Sequence, residues 1–426
     1  MLPYSDPSPA RLMIGAMTPF NRLFILPLLL RVQVDLPAEE RARFRRWVNM
    51  DTAAFLAPSH PMMMIDWMVD KEVSAQVSPL MCHWGDAPIV NANKLAKWYW
   101  TRNGLIAASG REAAEGYSVR RAIEGHGVLL HPEGIARWTA DRVHEIFPGI
   151  ARMSIQAVKT LRERGQDRPV YIVPFVSRLR FQRDISGGLH AEMTRIERRL
   201  ALPEGAGLSV PDRFAALQVN LLKERLELLQ HEPAEPVTPA SFFSRVEAFS
   251  AALRERLVAV NGPQEGTLSQ QVNRHGRALG SSGGDGAEHR LHKAAVHELR
   301  RLYCLSPDLY GGRTLSQEQI AESLKRILRE IVDARLAGNL ETRDVLRKVF
   351  PRQVGPAVIH VRLADPIRVS ERVTPDMDEA ALTEQILADT HAAMQRRLDE
   401  LKREVDAISP GPSHPNPLQI SEEAQI

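Results

Sequence analysis

Ala53-Ala54-Phe55-Leu56-Ala57-Pro58-Ser59-His60-Pro61-Met62-Met63-Met64-Ile65-Asp66-Trp67 is an apolar run closed by proline, followed by a histidine-proline pair and an aspartate. A few apolar residues bounded by a breaker are too short for a useful helix, so the run from Ala53 reads as a buried strand ending at Pro58. Pro61 has the fixed φ suited to a first helical position. It also biases His60 away from helical angles, which sets the imidazole in the turn between strand and helix. Asp66 is then expected in the second turn of that helix. A histidine so placed, with a carboxylate one or two turns on, is the geometry of a general base oriented by an acid. The carboxylate fixes the tautomer and stabilises the imidazolium formed when the base takes a hydroxyl proton. No enzyme-bound nucleophile is then needed. The bland reading of the same residues is a capping histidine and a solvated aspartate.

Downstream, strand and helix alternate. Leu95 to Trp100 reads as a helix stopped by Asn103-Gly104, and Leu105-Ile106-Ala107-Ala108 reads as a strand running into Ser109-Gly110-Arg111. Glu112 to Glu124 is helical, with Gly125 where a C-terminal stop is expected. Val128-Leu129-Leu130 is the next strand and leads into His131-Pro132-Glu133-Gly134, with Arg137 shortly after. Ile150, Met153, Ala157, Val158 and Leu161 fall at helical spacing, and Val170 to Val176, with Pro174 inside it, returns to strand. This alternation predicts an α/β fold with a mostly parallel central sheet flanked by helices.

From Ala191 to Phe350 the signal turns almost wholly helical. Phe242, Val246, Phe249, Leu253 and Leu257 make one apolar stripe; Ile320, Leu324, Ile327, Leu328 and Ile331 make another, with a capping box at Ser316 and Gln319. Strand character resumes at Ala357 to Leu363 and stops at Asp365-Pro366, and a last helix carries Ala381, Ile386, Leu387, Met394 and Leu398. The expected organisation is therefore an N-terminal helical segment (1–50), an α/β domain built from 51–184 and 351–408, a large helical insertion (185–350), and a disordered tail (409–426).

Within the first segment, Met13 to Val32 is apolar, but Asn21, Arg22 and Arg31 interrupt it and Pro19 and Pro27 should break it. Neither half then reaches the ~20 residues of a spanning helix. It reads as a helix capping the core or as an interfacial anchor with arginines at headgroup level. No signal peptide is expected, because no small-residue cleavage site follows. The formal net charge of +3, from 55 Lys plus Arg against 52 Asp plus Glu, makes no demand for nucleic acid. Cys82 and Cys304 are far apart, which suggests a reducing compartment. No metal-ligand spacing is evident, and Gly280 to Gly286 lacks the ending of a phosphate-binding loop.

The order of four blocks resembles the PlsC-type glycerolipid acyltransferase family, which esterifies a glycerol phosphate or lysophospholipid from an acyl thioester. Ser59-His60 through Asp66 resembles the family's catalytic His and Asp block, and Leu105 to Arg111 its second block, which ends in a phosphate-binding arginine. His131-Pro132-Glu133-Gly134 resembles the Pro-Glu-Gly block, and Val173-Pro174 the fourth. The likeness covers about residues 50–180 and 355–400. This chain departs in two places: five residues instead of four separate His60 from Asp66, and Arg137 stands one place late after the third block.

The resemblance implies a glycerolipid acyltransferase-like fold and an acyltransferase of phospholipid biosynthesis. His60 would be the general base, Asp66 its orienting partner, Arg111 and Arg137 the phosphate holders, and Glu133, Gly134 and Pro174 would shape the site. It implies no cofactor beyond the cosubstrate, an acyl-CoA or acyl carrier protein thioester, and a membrane lipid or glycerol phosphate as acceptor. Met62, Met63 and Met64 could touch an acyl chain or pack inside. The expected location is cytoplasmic or peripheral on a membrane, and the helical insertion could take a protein partner. The alternative is a catalytically inactive lipid-binding or scaffold protein on the same fold; a third reading is acyl transfer to a non-lipid acceptor.

Overall fold

A computed structural model describes residues 2–61, 65–109, 111–134, 141–281, 286–333, 336, 339–408 and 411–419. The chain opens with α1 (Arg11–Phe20), continued as a π-helix over Asn21–Leu30, then β1 (Val32–Asp35), α2 (Ala38–Trp47), β2 (Ala53–Pro58) and α3 (Ile65–Val77). Next come β3 (Cys82–Gly85), α4 (Ala87–Val90), α5 (Lys94–Arg102), β4 (Leu105–Ala107), α6 (Arg111–Ile123), β5 (Val128–Leu129), α7 (Gly149–Glu163) and β6 (Val170–Phe181). A helical stretch follows: α8 (Ser186–Arg199), α9 (Val210–Leu228), α10 (Phe242–Asn261), α11 (Leu268–Ser281), α12 (Ala287–Tyr303) and α13 (Pro307–Tyr310). β7 (Thr314–Ser316), α14 (Gln317–Asp333) and α15 (Thr342–Val349) complete it. The chain ends with β8 (Ala357–Leu363), β9 (Ile367–Arg368), α16 (Glu379–Ile408) and β10 (Ser413–Pro415).

These elements form two compact units, Met1–Gln182 with Pro356–Pro410, and Arg183–Gly355 with Gly411–Ile426. The first holds a mostly parallel sheet in the order β1-β8-β6-β2-β5-β3-β4, with β9 also pairing β6. β2 runs parallel to both β5 and β6, and β3 parallel to β4 and β5, while β8 and β9 run antiparallel to β6. Apolar side chains alternate between its faces. Phe55, Val170 and Ile172 pack with Ile150, Ile155 and Val158 of α7. On the other face Phe44 of α2 meets Phe175 edge-on, with ring centroids 5.3 Å apart, and Trp47 lies against Tyr171. The chain leaves and re-enters this unit through one hydrogen bond, from the Gln182 N–H to the Pro356 carbonyl at 3.0 Å. The return to the sheet therefore falls a few residues after the expected residue 351.

Several sequence expectations are corrected. The N-terminal 50 residues are not only helical, because β1 pairs in parallel with β8 and so belongs to the sheet. Pro19 and Pro27 do not break the apolar helix: π winding takes over at Asn21, and the carbonyl that Pro19 leaves without its i+4 donor belongs to exposed Gly15. Arg11–Leu30 is thus one helix long and apolar enough, by length and composition, to cross a membrane. The tail is not wholly disordered: Ser413–Pro415 pairs antiparallel with Thr314–Ser316, and Asn416 donates to the carbonyls of Tyr310 and Gly312. Pro174 sits inside β6 as expected, opposite Ala57, where the second neighbour of β6 changes from β9 to β8, so its missing N–H falls at a changeover in the ladder.

In the second unit the two apolar stripes are core, as their residues on α10 and α14 are buried. The Ser316–Gln319 capping box closes reciprocally, with bonds of 2.8 and 3.2 Å. Deep in the unit, Glu298 accepts from Arg225 at 3.1 Å and from Arg301 at 2.5 Å, three charges buried together. Removing the anion leaves two buried guanidinium groups without the carboxylate that both bond to, with Glu330 remaining as an acidic neighbour of Arg301. Glu298→Gln is therefore expected to destabilise this unit by about 3–5 kcal/mol, read as a lower urea midpoint.

Candidate active site

Parallel strands deliver their C-terminal ends to one edge of a sheet, and α/β proteins bind ligands outside that edge. β2, β5 and β6 lie side by side there, so the residues that follow them meet. After Pro58 the ladder continues one step: the Ser59 N–H donates to the Phe175 carbonyl at 2.9 Å, and the Ser59 Oγ accepts from the Ser177 N–H at 3.1 Å. His60 is the first residue beyond that anchor. On the neighbouring strand, the Leu130 N–H donates to the Leu56 carbonyl, and His131 comes next.

The His60 Nδ1 lies 2.7 Å from the Asp66 Oδ2, with the His60 side chain 16% and the Asp66 side chain 4% exposed. An ionised carboxylate only accepts, so the proton of a neutral His60 sits on Nδ1 and the lone pair on Nε2. This is the tautomer a general base needs. The five-residue spacing does not prevent the pairing. The described part of α3 begins at Ile65, and Asp66 lies in the first turn of that described part. Met62, Met63 and Met64 lie outside the described residues.

Glu133 is a clamp. One carboxylate oxygen accepts from the His60 backbone N–H at 2.7 Å, the other from the His144 N–H at 2.9 Å, and the residue is 2% exposed. It caps no helix; it ties the turn after β2 to the loop after β5. Gly134 follows with φ +68°, and a Cβ there would stand 2.7 Å from the Phe147 ring. A further bond, from the Phe147 N–H to the Pro132 carbonyl at 2.7 Å, closes this loop.

A second imidazole-carboxylate pair lies against the first. The His131 Nε2 is 2.9 Å from the Asp70 Oδ2, and its Nδ1 donates to the Ser59 carbonyl at 3.2 Å. The rings of His60 and His131 stack, with centroids 3.9 Å apart and 20° between planes. Burial works against charge on His131, but Asp70, by charge and hydrogen bond, and then Asp66 and Glu133 outweigh it and push the ring up to about 9.

The structure thus brings His60, Asp66, Glu133 and Gly134 together, with Pro174 in the strand beside them. Arg111 opens α6 just beyond β4, at the same edge of the sheet, but its side chain lies outside the described residues, as does all of Arg137. Ser59, Asp70 and His131 are the participants that sequence reasoning missed. A signal for two of them existed: both strands run into a His-Pro pair, and Asp66 and Asp70 are spaced i,i+4 on one helix face. Cys82 is buried, which raises its thiol, so it is no nucleophile. His83, buried beneath α3, reaches Ser74 at 3.2 Å; burial first, then Lys71 and His131, hold it neutral. Among the described residues no group of three His, Cys, Asp or Glu is arranged to hold a metal ion.

Two outcomes follow from this geometry. His131 is raised in the folded protein, so its share of stability is fully present below pH 6.5 and is lost as pH rises through about 9. At roughly 1.4 kcal/mol per unit, that share is at most about 3 kcal/mol, and Asp70→Asn should flatten this alkaline loss in denaturant titrations run across the range. Gly134→Ala should destabilise by about 1–3 kcal/mol, because the positive φ and the Phe147 ring both resist a side chain; an unchanged midpoint would contradict that. Comparison with protein-family models and with curated proteins returned no match, so the functional reading rests on these residues and their arrangement.

Proposed function

We propose that the chain is an acyltransferase with a glycerolipid acyltransferase-like fold, moving a fatty acyl group from an acyl-CoA or acyl carrier protein thioester to a hydroxyl of a glycerol phosphate or lysophospholipid. The observation that carries this reading is the His60–Asp66 bond of 2.7 Å at the carboxyl edge of a mostly parallel sheet, joined to the Pro-Glu-Gly loop through Glu133.

In this reading the His60 Nε2 takes the proton of the acceptor hydroxyl as that oxygen attacks the thioester carbonyl. Asp66 stays ionised and supports the imidazolium. When the tetrahedral intermediate collapses, the carbon-sulfur bond breaks and the proton passes from His60 to the departing thiolate, leaving an ester and a free thiol. Holding the acceptor phosphate falls to Arg111 and Arg137, as the resemblance implies; charge-assisted, bidentate bonds make arginine suited to it.

A lipid acceptor also gives a reason for the exposed apolar side of the N-terminal helix. Leu12, Phe20, Leu23, Phe24 and Leu28 face outward, while Asn21 donates to the Met68 carbonyl and Arg22 pairs with Glu72, both on α3. The apolar side is suited to the boundary of a bilayer, with the catalytic helix fixed beneath it. The inactive-scaffold reading drew on a His-Asp spacing too long to pair, and the 2.7 Å contact removes that support.

The test is product formation from radiolabelled acyl-CoA or acyl carrier protein thioesters and a panel of lysophospholipids and glycerol phosphate. Loss of the base should cost about 10²–10⁴ in rate, so His60→Ala should fall by that factor and Asp66→Asn by a substantial part of it. Equal product from wild type and His60→Ala would remove the catalytic assignment.

A further inference from the structure

His131 and Asp70 have no role in the transfer just described, although they are as buried and as well aligned as His60 and Asp66. We infer that His131 is a standing imidazolium, held by Asp70 and the Ser59 carbonyl, whose positive charge lies against the face of His60 and keeps that ring neutral until it takes the acceptor's proton. The inference rests on His60 being the base, and makes His131 a positioning residue that acts through it.

The Ser59 carbonyl can only accept, so the Nδ1 at 3.2 Å carries a hydrogen. Burial raises the Asp70 carboxyl while the contact with His131 and the charge of Lys71 lower it; with Asp70 ionised in that contact it can only accept, and the Nε2 at 2.9 Å carries the other hydrogen. A ring with both nitrogens protonated is a cation.

Charge balance agrees. Asp66, Asp70 and Glu133 are each under 5% exposed, and their charges act on His131, so a positive charge on that ring is favoured by carboxylates withdrawn from water. Among the described residues, the groups facing His131 are Asp66 and Asp70 from α3, Glu133 from its own loop, His60 from the turn after β2, and more distantly His83 of β3, which His131 helps hold neutral. Lys71 of α3 donates to the Asn103 carbonyl; burial lowers it to about 8 against the pull of Cys82 and Asp70. Against its burial, the carboxylates displace His131 upward to about 9.

Geometry then sets the effect. Two imidazoles at 3.9 Å and 20° cannot both be cationic without face-to-face repulsion, so the charge on His131 disfavours protonation of His60, while Asp66 favours it. The resting ring is kept in its neutral, proton-accepting form, and once it has taken the acceptor's proton the repulsion from His131 favours passing that proton on to the leaving thiolate.

The experiment is a pH titration of the full chain, labelled with ¹⁵N-histidine and free of substrate, with ring signals assigned by comparing His60→Ala and His131→Phe spectra. Wild type at pH 7.5 should show His131 protonated on both nitrogens and His60 neutral with its hydrogen on Nδ1. His131→Phe keeps a ring in the stack and removes the charge, so the His60 midpoint should rise by about one pH unit, a tenfold change in its protonation equilibrium. The acid limb of kcat/KM against pH should move with it. A neutral His131 ring in wild type at pH 7.5 overturns the inference, and this readout holds even where His131→Phe fails to fold. An unmoved His60 midpoint in folded His131→Phe overturns it too. Because no substrate is present, the two readings separate: no transfer with a charged His131 removes the function, whereas transfer with a neutral His131 removes only the present inference.

Discussion

Glu133 is 2% exposed and takes hydrogen bonds on both carboxylate oxygens from backbone N–H groups belonging to different loops, at His60 and at His144. A carboxylate so far from water keeps its charge only where donors are aimed at it, and those donors are held only because the carboxylate is there. The turn after β2 and the loop after β5 are therefore fixed to each other and not merely adjacent. From that tie follow the close stacking of His60 on His131, the reach of His60 to Asp66 and of His131 to Asp70, and the need for a glycine at position 134, where the Phe147 ring leaves no room for a side chain.

The sheet supplies the frame for this tie. β2 is central, flanked by β5 and β6 in parallel, and its last hydrogen bonds pass from Ser59 to Phe175 and Ser177 of β6. Ser59 thereby serves both sides. Its hydroxyl and N–H are used to extend the ladder, and its carbonyl is left to face His131. Pro174 fits this strand because the ladder changes partner there. α3 adds the two carboxylates at i,i+4, and is itself fastened to the N-terminal helix through Asn21 and Arg22, so the apolar exterior and the acid-base pairs share one support.

The second unit is built differently, from helices around buried apolar stripes and the Arg225–Glu298–Arg301 cluster. Its helical character and its two stripes were legible because a 3.6-residue period survives in any environment that buries one face. The pairing of the tail with β7 was not legible. Ser413-His414-Pro415 has no strand pattern of its own, and its order comes from neighbours far away in sequence.

The sequence by itself determined the alternation of strand and helix, the His-Pro turn after the first central strand, and the candidates for a base and its orienting acid, while the clamp made by Glu133 appeared only in the structure. These sequence readings depend on local stereochemistry: proline's fixed φ and a short apolar run bounded by a breaker. Only the tertiary structure decided that β1 joins the sheet, that an N-terminal helix runs unbroken past two prolines, and that an extra residue between His60 and Asp66 still leaves them 2.7 Å apart. It alone disclosed that His131 and Asp70 form a second pair stacked on the first. The physical reason is separation along the chain: which ring lies on which, and which carboxylate faces which nitrogen, is set by sheet order and burial, and neither is written in the spacing of residues about 70 positions apart.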